Sequence, residues 1–368
     1  MLHLFSHNSL METKNNFSNI PLNILNKVNS NLHNEPNHPI CIMKEHIYKH
    51  FDNIPTFDNL NPIVSLENNF DKLLIPSDHP ARSKSDTYYV NENMVLRTHT
   101  SAHQCELFEQ GHTNFLVTGH VFRKDEIDRF HYPIFHQMEG MFQVNDVNDL
   151  FKIIENLVKY LFPGSEYKIS SDYFPFTEPS FEVNVLHNGK WIEILGCGMV
   201  HKDILKANSL TNNYMAFGLG IERLCMIFFD IPDIRLFWSN DKKFTEQFSV
   251  GQITKFKPYS LLPSQSDVIS FWIDSSELVE ENNDIKWKNE NDFYDLIRDN
   301  YTNWIESVVF IDSFTHPKTK QYSRCYKITF SPDNSNVVNP ALFTEMRIQM
   351  FNDMREKIKT SNLMIVLR

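Results

Sequence analysis

What the chain has little of narrows it first. Its 368 residues hold five cysteines, Cys41, Cys105, Cys197, Cys225 and Cys325, odd in number, widely spaced and without a CxxC pair. That excludes a disulfide framework and a zinc ribbon and fits a reducing compartment. No apolar run approaches the ~20 residues of a membrane span, which excludes a transmembrane helix. Positive charge is scarce too: 35 Lys and Arg against 46 Asp and Glu give a net charge of -11. Any contact with nucleic-acid phosphate is therefore left to local patches. The first ~35 residues have no arginine at all and only two lysines; they are rich in Asn and Ser, with short apolar patches in LHLF and PLNILNKV. An organellar transit peptide is basic, amphipathic and poor in acids. This stretch is acid-poor but arginine-free, so residues 1–36 read either as a weak targeting segment or as a disordered leader.

What is present is apolar enough, at 41% with 13% aromatic, for a soluble globular chain of two domains with separate cores. The most informative stretch is TGHVFRKDEIDRFHYPIFHQMEG, Thr118 to Gly140, followed some eighty residues on by YMAFGLGIERL, Tyr214 to Leu224. In the first block Arg123 leaves an apolar strand, a charged loop follows, and Phe135 to Gly140 returns as an antiparallel partner. In the second, a strand ending at Gly218 and Gly220 feeds Glu222 and Arg223 into a helix. Two arginines on different elements, with glycines that let a ligand approach the backbone, suit a polyphosphate.

These blocks resemble motifs 2 and 3 of the class II aminoacyl-tRNA synthetases. FHQMEG and DYFPFTEPSFEV resemble the phenylalanyl branch, in its single-chain organellar form, over nearly the whole chain from about Asn37 to Arg368. The resemblance implies an α+β fold: an antiparallel-sheet catalytic domain at 37–250, a linker at 251–262 and a ferredoxin-like anticodon-binding domain at 263–368. It also implies the substrates ATP, L-phenylalanine and tRNA(Phe), with Mg²⁺ as cofactor, and a mitochondrial matrix or plastid location. In most class II enzymes a long motif 1 helix forms a dimer interface. Here the chain before Asn69 is too short and too interrupted by proline for one, so a monomer is expected.

Activation is an in-line attack of a carboxylate on the α-phosphate of ATP, with negative charge on both reactants. Within the resemblance, Arg123 bridges the α-phosphate and the substrate carboxylate, a role that suits a planar guanidinium better than a lysine. Asp125 accepts from the adenine amino group, His131 reaches the γ-phosphate, Phe135 stacks on adenine, and Arg223 clamps the far side of the triphosphate. No general base is needed, since the attacking carboxylate is already ionised.

Gln137 and Glu139, two apart on the returning strand, point the same way and suit an ammonium group. In LRTHTSAHQ an extended chain places His99 and Ser101 on one face and Thr98 and Thr100 on the other; the resemblance assigns His99 and Ser101 to the amino acid or adenylate, while a histidine there also reads as structural. The FPF run, Phe174 and Phe176 about Pro175, taken alone reads as core; the resemblance makes it the pocket for the phenylalanine ring, with Ala216 setting its depth at the para position. KWIEIL alternates so that Trp191, Glu193 and Leu195 share a face, which a buried strand tolerates only if Glu193 has a ligand. Glu193 joins the ATP and Mg²⁺ network by resemblance, with Glu178 as a second metal candidate.

Beyond Pro258 the order of predicted elements is β-α-β-β-α-β. From Lys318 to Arg368 nine Lys or Arg stand against four Asp or Glu, either an RNA-facing surface or a solvated helix face. Lys318, Lys320, Arg324 and Lys327 are the candidate tRNA contacts. A catalytically inactive, RNA-binding relative is the alternative; it is expected to have lost an arginine or the Gln137 and Glu139 pair, and all are present.

Overall fold

A computed structural model describes residues 17–126, 128–239, 241–258, 262–281, 284–302, 304–332 and 339–368. Fifteen strands are described, β1 Thr56–Phe57, β2 Ile63–Ser65, β3 Met94–Leu96, β4 Phe115–Phe122, β5 Ile134–Val144, β6 Tyr167–Phe174, β7 Thr177–His187, β8 Lys190–Val200, β9 Asn213–Gly220, β10 Gln265–Ile273, β11 Leu278–Glu281, β12 Asp284–Trp287, β13 Ile305–Thr315, β14 Tyr322–Phe330 and β15 Ile365–Leu367. Seven of them form one sheet in the order β1-β4-β5-β9-β8-β7-β6. Every pairing in it is antiparallel except that of β1 with β4. The fold is mixed α+β with a large antiparallel sheet, as expected.

The two faces of this sheet differ in what they bury. On one, Ile134, Met138 and Phe142 of β5 and Met215, Phe217 and Leu219 of β9 join the largest core. The helices Pro39–His50, Val147–Leu161 and Ile221–Phe228 supply the apolar residues that cover it. In the first, Pro39 occupies the first turn and His38 accepts from the Ile40 amide at 3.2 Å, leaving Ile40, Met43 and Ile47 fully buried. Gly140 is required here, because a Cβ would lie 2.3 Å from the ring of Phe217. The opposite face carries a smaller cluster around Phe115, Val117, Met141 and Ala216, and beside it the sheet lies bare.

The N-terminal segment is a correction. Ile24 and Val28, placed in the expected leader, are 1% and 2% exposed and belong to the main core. A few apolar side chains in an Asn-rich stretch were enough to seat it; residues 1–16 of that leader lie outside the described residues.

After Phe256 a second core forms. β13-β14-β10-β15 make an antiparallel sheet, covered by the helices Glu290–Tyr301 and Pro340–Thr360, with the β11-β12 hairpin inserted before the first helix. The expected strands and helices are all found, with the hairpin as the addition. This unit touches the first through charge. Lys124, directly after Arg123, reaches Asp292 at 2.8 Å and Asp295 at 3.4 Å, and Arg298 bonds Asp295 at 2.6 Å.

Candidate active site

The bare face of the sheet is built from β5, β9 and β8. In an antiparallel ladder, register partners point to the same side. Gln137 lies opposite Gly119 and Gly220, Glu139 opposite Val117 and Gly218, and Met141 opposite Phe115 and Ala216. Further across, Gly218 pairs with Gly196 and Gly196 with Glu182. Phe135, Gln137, Glu139 and Ala216 therefore line one cleft whose floor is glycine. A Cβ added at Gly218 or Gly220 would meet nothing within 4 Å, so space for a ligand lies directly on the backbone.

Glu139 is the most constrained group in it. The residue is 3% exposed. Its Oε2 accepts from Ser101 Oγ at 2.5 Å and from Thr100 Oγ1 at 3.5 Å, while its Oε1 is buried with no partner. Burial pushes its carboxyl up to about 7, against the two hydroxyls that pull it down. A carboxylate oxygen left without a donor in a cleft is a receptor for a cation such as an ammonium group.

Ser101 arrives there differently from the sequence expectation. The chain is extended only through His99, then winds into the 3-10 turn Thr100–His103 that starts the helix Gln104–Glu109. The turn brings Thr100 and Ser101 together onto Glu139, so Thr100, which a continuous strand puts on the other side, was missed. His99 packs against Phe176 at 6.2 Å between ring centroids. Neither of its ring nitrogens meets a partner of good geometry, and burial, with Arg123 nearby, pushes its pKa down to about 3.

Phe174 and Phe176 stack at 5.9 Å with their planes 11° apart. Gly196 makes room for Phe174, since a Cβ there would lie 2.8 Å from its ring. Phe176 packs on the cluster that contains Ala216, Met141 and Val117, so the aromatic pair and Ala216 enclose one apolar corner of the cleft.

The charged groups stand at the other end. Arg123 Nε donates to the Thr98 carbonyl at 2.8 Å and its guanidinium lies over the Phe135 ring at 5.3 Å. Arg223, two residues into the helix after Gly220, donates to the Glu193 carbonyl at 3.0 Å and stands 3.6 Å from its carboxylate, both side chains about half exposed. Asp125 is partly exposed in the loop after Arg123; its carbonyl accepts from Arg298 at 2.6 Å. His131 bonds Asp128 at 2.9 Å, and that contact raises its pKa. It also lines a small cleft with Arg235, Arg298 and Thr302, so this loop meets the second unit.

Three expectations need correction. Leu195 does not share a face with Glu193: Val183 pairs with Leu195 but Asn184 with Glu193, so Ile194 is an extra residue and the bulge turns Ile194 and Leu195 inward while Glu193 stays exposed. Glu178 cannot share an ion with Glu193. It follows Thr177, which pairs with Val200 at the other end of β8, about 20 Å away at ~3.3 Å per residue, and it faces His201 at 3.5 Å. Arg324 is not free for RNA: it is 8% exposed and bonds Glu290 at 2.6 Å and the Ile285 carbonyl at 2.8 Å. Lys318, Lys320 and Lys327 are exposed.

Besides Thr100, two further groups escaped the sequence reading. Glu182, opposite Gly196, adds a second carboxylate to the cleft face and is held by Ser170 and Asn184. Arg97, 1% exposed, lies so close over Gly119 that a Cβ would be 2.0 Å from its Nη2. Glu182 is legible only once the register is known, and Arg97 only from the packing over Gly119.

Comparison with known proteins agrees with this geometry. Residues 22–248 match the model of the tRNA synthetases class II core domain (F). The chloroplastic/mitochondrial phenylalanine–tRNA ligase of Arabidopsis thaliana is 45% identical over 346 residues, 88% of this chain and 78% of that one. The mitochondrial phenylalanine–tRNA ligases of Mus musculus and Saccharomyces cerevisiae are 39% and 35% identical, over 85% and 89% of this chain and 79% and 88% of theirs. A glycine-floored cleft with two arginines, a buried carboxylate and an aromatic corner thus stands in a chain that belongs to the class II aminoacyl-tRNA synthetases, in the phenylalanine–tRNA ligase family.

Proposed function

We propose that the chain activates L-phenylalanine with ATP and transfers it to tRNA(Phe) in an organelle. The observation that carries this reading is Glu139, buried, bonded by Ser101 and Thr100 on one oxygen and unpartnered on the other. It sits on the same sheet face as Gln137, between the arginines and the Phe174/Phe176 corner. Phenylalanine bound with its ammonium on Glu139 and Gln137 and its ring against Phe174 and Phe176 has its carboxylate directed toward Arg123. ATP lies over Gly218 and Gly220, with adenine on Phe135, Asp125 toward its amino group, and the triphosphate between Arg123 and Arg223, His131 reaching its outer end. The carboxylate oxygen bonds the α-phosphorus, the bond to the β-phosphate oxygen breaks, and pyrophosphate leaves. The arginines and the fixed reactants supply the rate through charge and position. The terminal adenosine of tRNA then takes the acyl group through its 2′-hydroxyl and AMP leaves.

Glu193, exposed and paired only loosely with Arg223, and Glu182 on the same face fit Mg²⁺, which binds through one or two carboxylates together with phosphate oxygens. The ion would neutralise part of the triphosphate charge.

The second unit reads as a ferredoxin-like anticodon-binding domain. Its first strand lies between its third and fourth, the order of a split βαβ, and Lys318, Lys320 and Lys327 offer exposed positive charge to RNA. The chain is expected to act as a monomer. The names of the relatives support an organelle; our reading of it is the mitochondrial matrix, with a plastid as the alternative. Both arginines and the Gln137/Glu139 pair stand in the cleft, which leaves the inactive reading without support.

The test is charging of a tRNA(Phe) transcript with radiolabelled phenylalanine. ATP-dependent transfer of label to the RNA is expected; a folded protein that activates no charging contradicts the reading.

A further inference from the structure

Behind the cleft, on the opposite face of the sheet, three histidines converge. His120 of β4 and His136 of β5 are register partners, and His33 of the N-terminal segment closes over them, its ring centroid 5.9 Å from His120 and 5.2 Å from His136. All three are at most 2% exposed. One ring nitrogen of each lies within 4.8 Å of the others.

Each ring is anchored through its second nitrogen. His33 Nε2 meets the Asp58 carbonyl at 2.8 Å and His120 Nε2 the Val28 carbonyl at 2.6 Å. His136 Nδ1 meets Glu222 Oε1 at 2.7 Å, and the other oxygen of Glu222 accepts from the His136 amide at 2.7 Å. A carbonyl only accepts, so His33 and His120 carry their proton on Nε2 and expose a lone pair at Nδ1. His33 Nδ1, His120 Nδ1 and His136 Nε2 are all buried with no partner. Three imidazole nitrogens without a donor between them is a costly arrangement in a protein interior. An ion that accepts lone pairs relieves all three at once.

We propose that His33, His120 and His136 bind one divalent transition-metal ion, Zn²⁺ fitting best, at a structural site separate from the Mg²⁺ of the ATP cleft. Imidazole ligands suit zinc and its neighbours and not Mg²⁺ or Ca²⁺, which take oxygen. Histidine ligands of metals almost always donate their other N–H to a carbonyl or a carboxylate, and all three rings here have such a group in place. Glu222 also brings one negative charge against the ion. Bonds of ~2.0–2.1 Å in a tetrahedron put ligand nitrogens about 3.4 Å apart, so the rings close on the ion by roughly 1 Å or less each. The site would pin the N-terminal segment to the strand pair whose other face carries Phe135 and Gln137. Because His33 reaches the sheet only when this segment has folded onto it, the metal would bind as folding completes.

The test uses the full chain with any affinity tag removed. After dialysis against chelator, Zn²⁺ is added back and bound metal is measured by mass spectrometry, with melting temperature followed in parallel. Co²⁺ replaces Zn²⁺ for visible absorption. About one equivalent of Zn²⁺, a higher melting temperature and the intense visible band of tetrahedral Co²⁺ are expected, all lost in His33→Gln and in His120→Asn. The wild-type Co²⁺ spectrum needs no variant, so a misfolded substitution does not blunt the test. No metal uptake by the folded wild type would overturn the proposal and leave a buried water between the rings. Uptake unchanged in both variants would overturn it too, by placing the metal elsewhere.

Discussion

In the proposed site, Glu139 makes the affinity for phenylalanine depend on pH. Its carboxyl, raised to about 7 by burial, is half protonated near neutrality, and only the ionised form holds an ammonium group. The KM for phenylalanine is therefore expected to fall about tenfold between pH 6 and pH 8 as ionisation becomes complete. Glu139→Gln should raise that KM on the order of 10²-fold and remove the pH dependence, measured by pyrophosphate exchange at several pH values. A raised folded-state pKa contributes stability that is fully present below the ordinary carboxylate value near 4.5 and is lost as pH rises through 7. The same variant should thus melt higher than wild type at pH 8 without substrate, a gain in stability bought with function. At the apolar corner, Ala216→Gly should admit para-chlorophenylalanine to adenylate formation; continued exclusion would mean that Ala216 does not set the pocket depth. An apolar pocket rejects an added hydroxyl only by on the order of 10²-fold, so tyrosine-dependent exchange should be detectable at high enzyme. The placement of Gln137 and Glu139 on one face was legible from the sequence because strand alternation holds along β5, whereas Arg123, just past the end of β4, was picked out by its motif. Thr100 was not legible, because a turn set by the helix after it replaced the extended chain that alternation assumes.

At the scale of elements, strand period carried the reading where it ran unbroken and failed where a residue was inserted. The bulge at Ile194 is invisible in KWIEIL; only the pairing of β7 with β8 reveals it. Conversely, YSRCYKITF already contains the fate of Arg324. Tyr322, Arg324, Tyr326, Ile328 and Phe330 alternate onto the buried side and leave Lys327 outside, so period two predicts the arginine inward once it is applied to the whole strand. The glycine ends of β9 make a sharper test. Gly218→Val adds bulk where nothing in the protein lies within 4 Å of a Cβ. It should leave the melting temperature nearly unchanged and raise the KM for ATP at least tenfold; a large loss of stability with normal ATP binding would show that this space is not the nucleotide's.

For the whole molecule, the two cores and the order of the second unit's elements were readable from periodicity, whereas the contact between the units was not, since it depends on single charges far apart in sequence. Asp295, 7% exposed, sits among Lys124, Arg298 and the Tyr88 hydroxyl at 3.4, 2.6 and 3.2 Å. Asp295→Ala leaves two buried cations short of a partner and should cost about 3–5 kcal/mol, read by chemical denaturation. The net charge of -11 carries as little, as expected: total charge says nothing of the arginines gathered in one cleft. That gathering is the central claim, that Arg123 and the glycine-floored cleft are where phenylalanine meets ATP. Its most direct test is pyrophosphate exchange with phenylalanine and ATP, without tRNA, on wild type beside Arg123→Ala. Phenylalanine-dependent exchange in the wild type, reduced at least 10³-fold by the substitution while the fold is kept, is the predicted result; exchange that survives Arg123→Ala, or is absent from folded wild type, would contradict it.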